Sequence, residues 1–181
     1  MVMKKGIMEM KEIKDYVINW HDTNSEVFYE TASALWNEPE LGMHEYKSSK
    51  RISDLLEDFG FTVKTGVANM PTAFIAEWGE GKPVIGFSVE YDALPGLSQK
   101  LSHKKEPIVE GDPGQGCGHN IIGVASAKAA IGLKAAMEKG EYSGTIKVFG
   151  TPAEELCIGK PFMAKEGLLQ RRCIFRLASE I

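Results

Sequence analysis

The sequence predicts an α/β fold, a three-layer sandwich with helices around a mixed, mainly parallel β-sheet. Apolar residues recur at helical spacing over the first forty residues and again over about 45–59. From Phe61 onward the pattern changes to short apolar runs separated by turns that contain glycine and proline. Residues 84–149 then follow the order strand, loop, helix, strand, which is the βαβ unit of a buried sheet.

The individual elements follow from local signals. The first forty residues form one long helix or two, because residues 22–25 could cap a second segment, and Pro39 ends the run. Gly60 marks the end of the next helix. Between the later elements, residues 93–116 are rich in glycine and proline, and loops of that length are usually functional or disordered. Strands are predicted at 61–63, 72–78, 84–89 and 145–149, and a further helix at about 120–139.

Composition and charge exclude several classes of protein. The chain of 181 residues carries a formal net charge of -4, which argues against nucleic acid or an anionic membrane as a partner. Its three cysteines are too few and too sparse for a disulfide framework and suit a reducing compartment. Residues 1–14 lack the apolar core of a secretory signal, and residues 121–137 are too short and too charged to span a bilayer. We therefore expect a cytoplasmic protein.

Cys117 and His119, framed by glycines at the mouth of a predicted helix, are good ligands for zinc and similar ions. A lone Cys-x-His is more often an incidental pair in a glycine-rich turn. A phosphate loop fits less well, because the spacing is not GxGxxG and no Gly-Lys-Ser/Thr follows. A cysteine nucleophile with His119 as its base is also weaker, because residues two apart at a turn rarely meet in a hydrogen bond.

Carboxylates follow two of the predicted strands. Glu154 and Glu155 could divide the work of a metallohydrolase, with one binding the metal and the other moving a proton from water to the leaving amine. Asp92 also follows a predicted strand, and an aspartate in that position is as often a turn former as a catalyst. His44 and Glu45 resemble the start of HExxH, but position 48 is serine. Because open α/β sheets bind ligands at strand ends, the three clusters in order predict a two-metal hydrolase site.

These stretches resemble the aminoacylase and carboxypeptidase-like metallohydrolases, in particular those acting on p-aminobenzoyl-glutamate, hippurate and auxin conjugates. The motifs are EYDALPGL at 90–97, GCGHN at 116–120 and PAEE at 152–155, supported by WNEPELG at 36–42. The resemblance covers roughly residues 10–168. It implies the N-terminal part of a zinc-peptidase-like catalytic domain with two divalent metal ions, Mn or Zn, in the complete site.

The resemblance also implies roles for individual residues. Cys117 resembles the ligand shared by, or lying between, the two metals, and His119 a ligand of one of them. Glu155 resembles a further metal ligand, and Glu154 the general base and acid. Asp92 resembles the carboxylate that orients a ligand and raises its basicity. Related peptidases have a ligand histidine where this chain has Glu90, so the resemblance does not identify Glu90 as a metal ligand.

The sequence departs from the family in its last part. The family has two further metal-binding histidines downstream of the Glu-Glu pair, whereas no histidine follows His119 in this sequence. We also expect this chain to lack the family's lid and dimerisation domain. We expect residues 1–168 to form a partial catalytic domain and residues 169–181 to be a divergent tail, produced by a frameshift or premature stop near Leu168. Such a chain should leave a sheet edge uncovered and be poorly stable alone. Cys157 stands where relatives tend to have glycine.

The predicted function is metal-dependent hydrolysis of the amide bond in an N-acyl or N-aroyl amino acid such as p-aminobenzoyl-glutamate. The expected partners are that small-molecule substrate and, by resemblance to a dimeric family, a second copy or a homologous A subunit. One interpretation is an active enzyme whose missing ligands come from a partner chain. The alternative is a catalytically inactive remnant. A small metal-binding or cysteine-dependent module unrelated to this family would leave Asp92, Glu154 and Glu155 unexplained.

Overall fold

The N-terminal region forms two helices rather than one. In the computed structural model, which describes residues 9–169 and 174–176, α1 spans Met10–Thr23 and α2 spans Ser25–Asn37. Asn24 separates them, and its side-chain amide donates a hydrogen bond back to the Trp20 carbonyl (2.8 Å). This bond satisfies a carbonyl at the end of α1, where the helix leaves its last acceptors unpaired.

A five-stranded mixed sheet follows α3, which spans Tyr46–Asp58. The strand order is β1-β2-β4-β3-β5, with antiparallel β1–β2 and β2–β4 pairs and parallel β3–β4 and β3–β5 pairs. Two of the four strand pairs are therefore parallel. The strands are β1 (Thr62–Thr65), β2 (Phe74–Glu80), β3 (Val84–Val89), β4 (Gly144–Gly150) and β5 (Ile174–Arg176).

The predicted βαβ unit is confirmed. Helix α4 (His119–Gly140) crosses from β3 to the parallel strand β4. The register pairs Val89 with Gly150, so both strands end side by side at the same edge of the sheet. Residues that follow β3 and residues that follow β4 are thereby brought together.

The alternation of side chains along the strands divides the core between the two faces of the sheet. One face packs against α2, α3 and α4 through a large cluster that includes Phe74 and Val148. On the other face, Phe149 and Met163 join a smaller cluster with the 3₁₀ turn Val67–Asn69. Met163 belongs to the short helix α5 (Gly159–Lys165), so this third layer is thin in the described part of the chain.

Two predictions concern chain ends that are only partly described. The predicted divergent tail, 169–181, lies largely outside the described residues, of which it contributes only Leu169 and the backbone of Ile174–Arg176. Residues 1–8 of the N-terminal segment also lie outside them. Within the described ranges, none of the helices combines the length and apolar character needed to cross a membrane.

Candidate metal centre

The predicted long loop between β3 and α4 is closed at its base. The backbones of Leu94 and Gly114 exchange two hydrogen bonds of 3.0 Å each. The residues between them therefore form a loop that begins and ends at this pair. The chain returns beside Asp92 before α4 begins. Gly118 adopts a left-handed conformation (φ 87°) immediately before His119, a backbone state that glycine reaches without steric cost.

Asp92 holds the ring of His119. The Nδ1 atom of His119 lies 2.9 Å from the Asp92 backbone carbonyl and 3.0 Å from its carboxylate Oδ1. A carbonyl can only accept a hydrogen bond, so Nδ1 carries the proton. In the neutral ring the Nε2 lone pair is then free to bind a cation.

The electrostatics of this pair favour its charged forms. Burial opposes ionisation of Asp92, but the hydrogen bonds from His119 and from the Glu155 backbone outweigh it and lower the pKa of Asp92. Burial likewise opposes a charge on His119, whereas the contact with Asp92 and the charge of Glu90 raise the pKa of His119 above its ordinary value. Both side chains are almost completely buried.

The Glu154–Glu155 segment is fixed from two sides. The Glu155 backbone N–H donates to Asp92 Oδ2 (3.0 Å). On the other side, the buried Glu45 accepts a hydrogen bond from the Ala153 N–H (2.7 Å) through Oε1 and one from the Thr72 hydroxyl (3.0 Å) through Oε2. Glu45 thus anchors the turn that presents both acidic side chains.

Two sets of potential ligand atoms converge on His119. The first comprises Cys117, His119 and Glu155, and the second comprises Glu90, His119 and Glu154. Within each set the atoms lie within 4.8 Å of one another. All five residues predicted from the sequence, Asp92 included, are therefore gathered at one place.

The residues present fit a divalent metal ion. Thiolate, imidazole and carboxylate are the ligands that zinc and similar ions take in proteins. Within the described ranges, Glu155 Oε1 is buried and has no hydrogen-bond partner, which leaves a carboxylate oxygen available for a cation. Burial and the carboxylates of Glu155, Glu154 and Glu90 raise the pKa of the Cys117 thiol, so the cluster disfavours further negative charge until a cation is bound.

Lys160 supplies a positive charge to this acidic cluster. Its Nζ pairs with Glu90 Oε1 and lies 3.9 Å from Glu154 Oε1. Neither Lys160 nor Glu45 was predicted to belong to the site. His44 is exposed, in keeping with the incomplete HExxH pattern. No local pattern signals that Glu45 is buried against a turn over 100 residues away.

Comparison with known proteins gives the evolutionary context of this cluster. One of the subunits of p-aminobenzoyl-glutamate hydrolase from Escherichia coli (strain K12) is 39% identical over 160 residues, covering 88% of this chain and 33% of that protein. Xaa-Arg dipeptidase of Mus musculus is 32% identical over 149 residues, covering 76% of this chain and 31% of that protein. The chain is homologous to metal-dependent amidohydrolases and peptidases. It spans about a third of the length of these curated relatives.

Solved structures agree on the fold of this metallohydrolase homologue. A dinuclear metal-binding peptidase of the M20 family from Bacillus subtilis superimposes with a TM-score of 0.61 at 23% identity, over 90% of this chain and 41% of that one. A putative aminohydrolase from methicillin-resistant Staphylococcus aureus gives a TM-score of 0.66 at 24% identity, over 85% of this chain and 39% of that one.

No family model matches the chain. The relatives are named as hydrolases and peptidases, so the comparisons do not support the inactive-remnant interpretation.

Proposed function

We propose that the protein hydrolyses the amide bond of an N-acyl or N-aroyl amino acid, with p-aminobenzoyl-glutamate as the first substrate to test. The observation that carries the proposal is the convergence of Cys117, His119 and Glu155 beside Asp92 and Glu154. The name of the Escherichia coli relative supplies the substrate class.

Cys117, His119 and Glu155 would hold the metal ion, Mn²⁺ or Zn²⁺, in this proposal. When bound, such an ion polarises the amide carbonyl and makes water a stronger nucleophile at neutral pH. Asp92 keeps the proton of His119 on Nδ1 and so turns Nε2 towards the ligand cluster. Its second carboxylate oxygen fixes the backbone of Glu155, which couples two of the ligands through one side chain.

Glu154 is the residue that moves the proton in this proposal. Its side chain is about one-third exposed, so it can meet a substrate, and its Oε2 lies 3.5 Å from His119 Nε2. A carboxylate at this position can take a proton from the attacking water and deliver it to the amine that leaves. Lys160 Nζ lies 3.9 Å from Glu154 Oε1 and places a positive charge beside this carboxylate.

The test separates binding from turnover. Calorimetry with Zn²⁺ or Mn²⁺ should show binding that Cys117→Ser or His119→Ala weakens strongly. Glu154→Gln should retain binding but lower release of p-aminobenzoate by about 10²–10⁴-fold, the usual contribution of general acid–base catalysis. Glu166→Gln, at an exposed glutamate after α5, is the matched control. Unchanged turnover in Glu154→Gln would refute the assigned role.

The setting of the reaction is also part of the proposal. We place the protein in the cytoplasm, in line with its sparse cysteines. Because the Escherichia coli relative is a subunit of its enzyme, a second copy or a homologous subunit is the expected partner. Sedimentation of the purified chain with and without metal would reveal self-association, and a strictly monomeric chain with full turnover would contradict the need for a partner.

A further inference from the structure

Lys160 already occupies part of the acidic cluster with a positive charge. It is the second residue of α5, and its ammonium group pairs with Glu90 Oε1 and lies 3.9 Å from Glu154 Oε1. Glu90 is 12% exposed, so this ion pair is shielded from solvent on its acidic side. An ammonium group is a compact point charge, and in such a position it can replace a metal ion electrostatically.

The two potential ligand sets compete for one nitrogen atom. Nδ1 of His119 is held by Asp92, so only Nε2 can bind a metal. Nε2 lies 3.5 Å from both Glu90 Oε2 and Glu154 Oε2. A single lone pair binds a single ion, so the described residues cannot complete both sets through His119 at once.

The two sets also differ in what they already contain. The set of Cys117, His119 and Glu155 includes a thiol and the buried, unpartnered Glu155 Oε1. In the set of Glu90, His119 and Glu154, both carboxylates already face the ammonium of Lys160. A free cation would have to displace that ammonium before it could bind there.

We infer that Lys160 acts as an internal cation on Glu90 and Glu154, so that this chain holds one metal ion, at Cys117, His119 and Glu155. The inference rests on the proposed metal site and adds that Glu90 is a partner of Lys160 and not a ligand. Without the ammonium, Glu90 and Glu154 become a pair of unneutralised carboxylates beside a bound metal. Such oxygens suit a second hard ion such as Mn²⁺.

The experiment counts metal ions directly. The full chain and its Lys160→Met and Lys160→Gln variants are stripped of metal, titrated with Mn²⁺ by calorimetry, and assayed for bound metal after dialysis. The wild-type chain should bind one ion, and both neutral variants should bind two. Lys165→Met, at an exposed lysine of the same helix, should bind one ion, and so should the double variant Lys160→Met/Glu90→Gln.

The number of bound metal ions distinguishes a failure of the role of Lys160 from a failure of the metal site. One ion in the wild-type chain and one in both neutral variants, with unchanged affinity, would overturn the role of Lys160 while leaving the proposed function intact. Two ions in the wild-type chain would also overturn it. No binding in the wild-type chain would refute the metal site itself and, with it, this inference. Because methionine and glutamine differ in polarity but both lack charge, a folding defect in one still leaves the other as a test.

Discussion

The Nδ1 atom of His119 lies between two oxygens of a single residue, 2.9 Å from the carbonyl and 3.0 Å from the carboxylate of Asp92. The carboxylate's other oxygen holds the backbone of Glu155 at 3.0 Å. Asp92 therefore positions a residue at the start of α4 and a residue after β4 at the same time. Its effect on metal binding should exceed that of an ordinary buried carboxylate.

Replacing Asp92 by alanine should weaken metal binding by about 10–100-fold, which is the usual effect of losing the residue that orients a ligand histidine. Asp92→Asn should lose less, because it keeps the side-chain volume and an oxygen that can accept from Glu155. Titration of Zn²⁺ by calorimetry measures the change, with Asp112→Ala at an exposed loop aspartate as the control. Equal affinities in wild type and Asp92→Ala would show that the contact has no orienting role.

Glu45 should matter for stability although it binds no substrate. Glu45→Ala leaves the buried N–H of Ala153 and the hydroxyl of Thr72 without their acceptor. Each buried donor left unpaired costs about 1–3 kcal/mol, so losing the acceptor of both should lower the free energy of unfolding by roughly 2–6 kcal/mol. Urea unfolding measures this. Glu57→Ala, at an exposed glutamate of α3, should change stability by less than about 0.5 kcal/mol. A loss of the same size in both variants would contradict the anchoring role.

Stability should also depend on pH through Glu45. Burial, only partly offset by the hydrogen bonds from Ala153 and Thr72, raises the pKa of Glu45 above its ordinary value of 4.5. The folded chain therefore binds this proton more tightly than the unfolded chain does. The resulting stabilisation is complete below pH 4.5 and is lost as pH rises through the folded-state pKa.

Comparison with Glu45→Gln isolates this contribution, since glutamine cannot titrate and the other groups are common to both chains. The unfolding free energy of the wild-type chain minus that of Glu45→Gln should fall as pH rises from 4.5 and then level off. Urea unfolding of both chains across this range provides the measurement. A difference that stays constant or increases with pH would contradict the raised pKa.

Much of the fold could be predicted because its elements have strong local signals. The strand β3 has the predicted bounds of 84–89, and α4 begins within one residue of the predicted start. Strand order has no such signal: β2 lies antiparallel between β1 and β4, a choice made by tertiary packing and not by its own residues. The βαβ unit alone predicts a mainly parallel sheet, because it contains no information on the antiparallel β1–β2 and β2–β4 pairs.

The residues of the site likewise divide into those marked by local sequence signals and those placed by contacts between distant parts of the chain. Asp92, Cys117, His119, Glu154 and Glu155 could be selected because each follows a predicted strand or begins a helix, where α/β sheets bind ligands. Lys160 and Glu45 could not. Lys160 meets Glu90 across 70 residues of sequence, and Glu45 meets Ala153 across 108. Such contacts depend on how α5 and α3 pack, which no spacing rule describes.

Cys157 has a left-handed backbone (φ 54°, ψ 35°) immediately after the Glu154–Leu156 turn, a conformation that glycine adopts more readily than cysteine does. This conformation costs an L-residue about 1–2 kcal/mol, while glycine costs about 0.5–1 kcal/mol of backbone entropy. Cys157→Gly should therefore stabilise the chain by about 0.5–1 kcal/mol in urea unfolding. Cys157→Ala retains the strained conformation and should change stability little. A less stable Cys157→Gly chain would contradict this account.

Gly123 lets α4 approach the end of β3 closely. A Cβ atom at this position would lie 2.1 Å from the carbonyl oxygen of Glu90. Glycine to alanine inside a helix normally stabilises by about 0.5–1 kcal/mol, but here the added methyl must push the helix from the strand. Overpacking of this kind costs about 1–3 kcal/mol. After the helix-propensity gain is subtracted, Gly123→Ala should reduce the free energy of unfolding by roughly 0.5–2 kcal/mol.

The same displacement should be felt at the metal site, because His119 lies one turn before Gly123 and its ring is held by Asp92 on the strand side. Gly123→Ala should therefore weaken Zn²⁺ binding as well as stability. Ala129→Ser, on the exposed face of α4, provides the matched control and should leave both unchanged. If Gly123→Ala lowers stability but leaves metal affinity intact, α4 moves without carrying His119, and the ring is positioned by Asp92 alone.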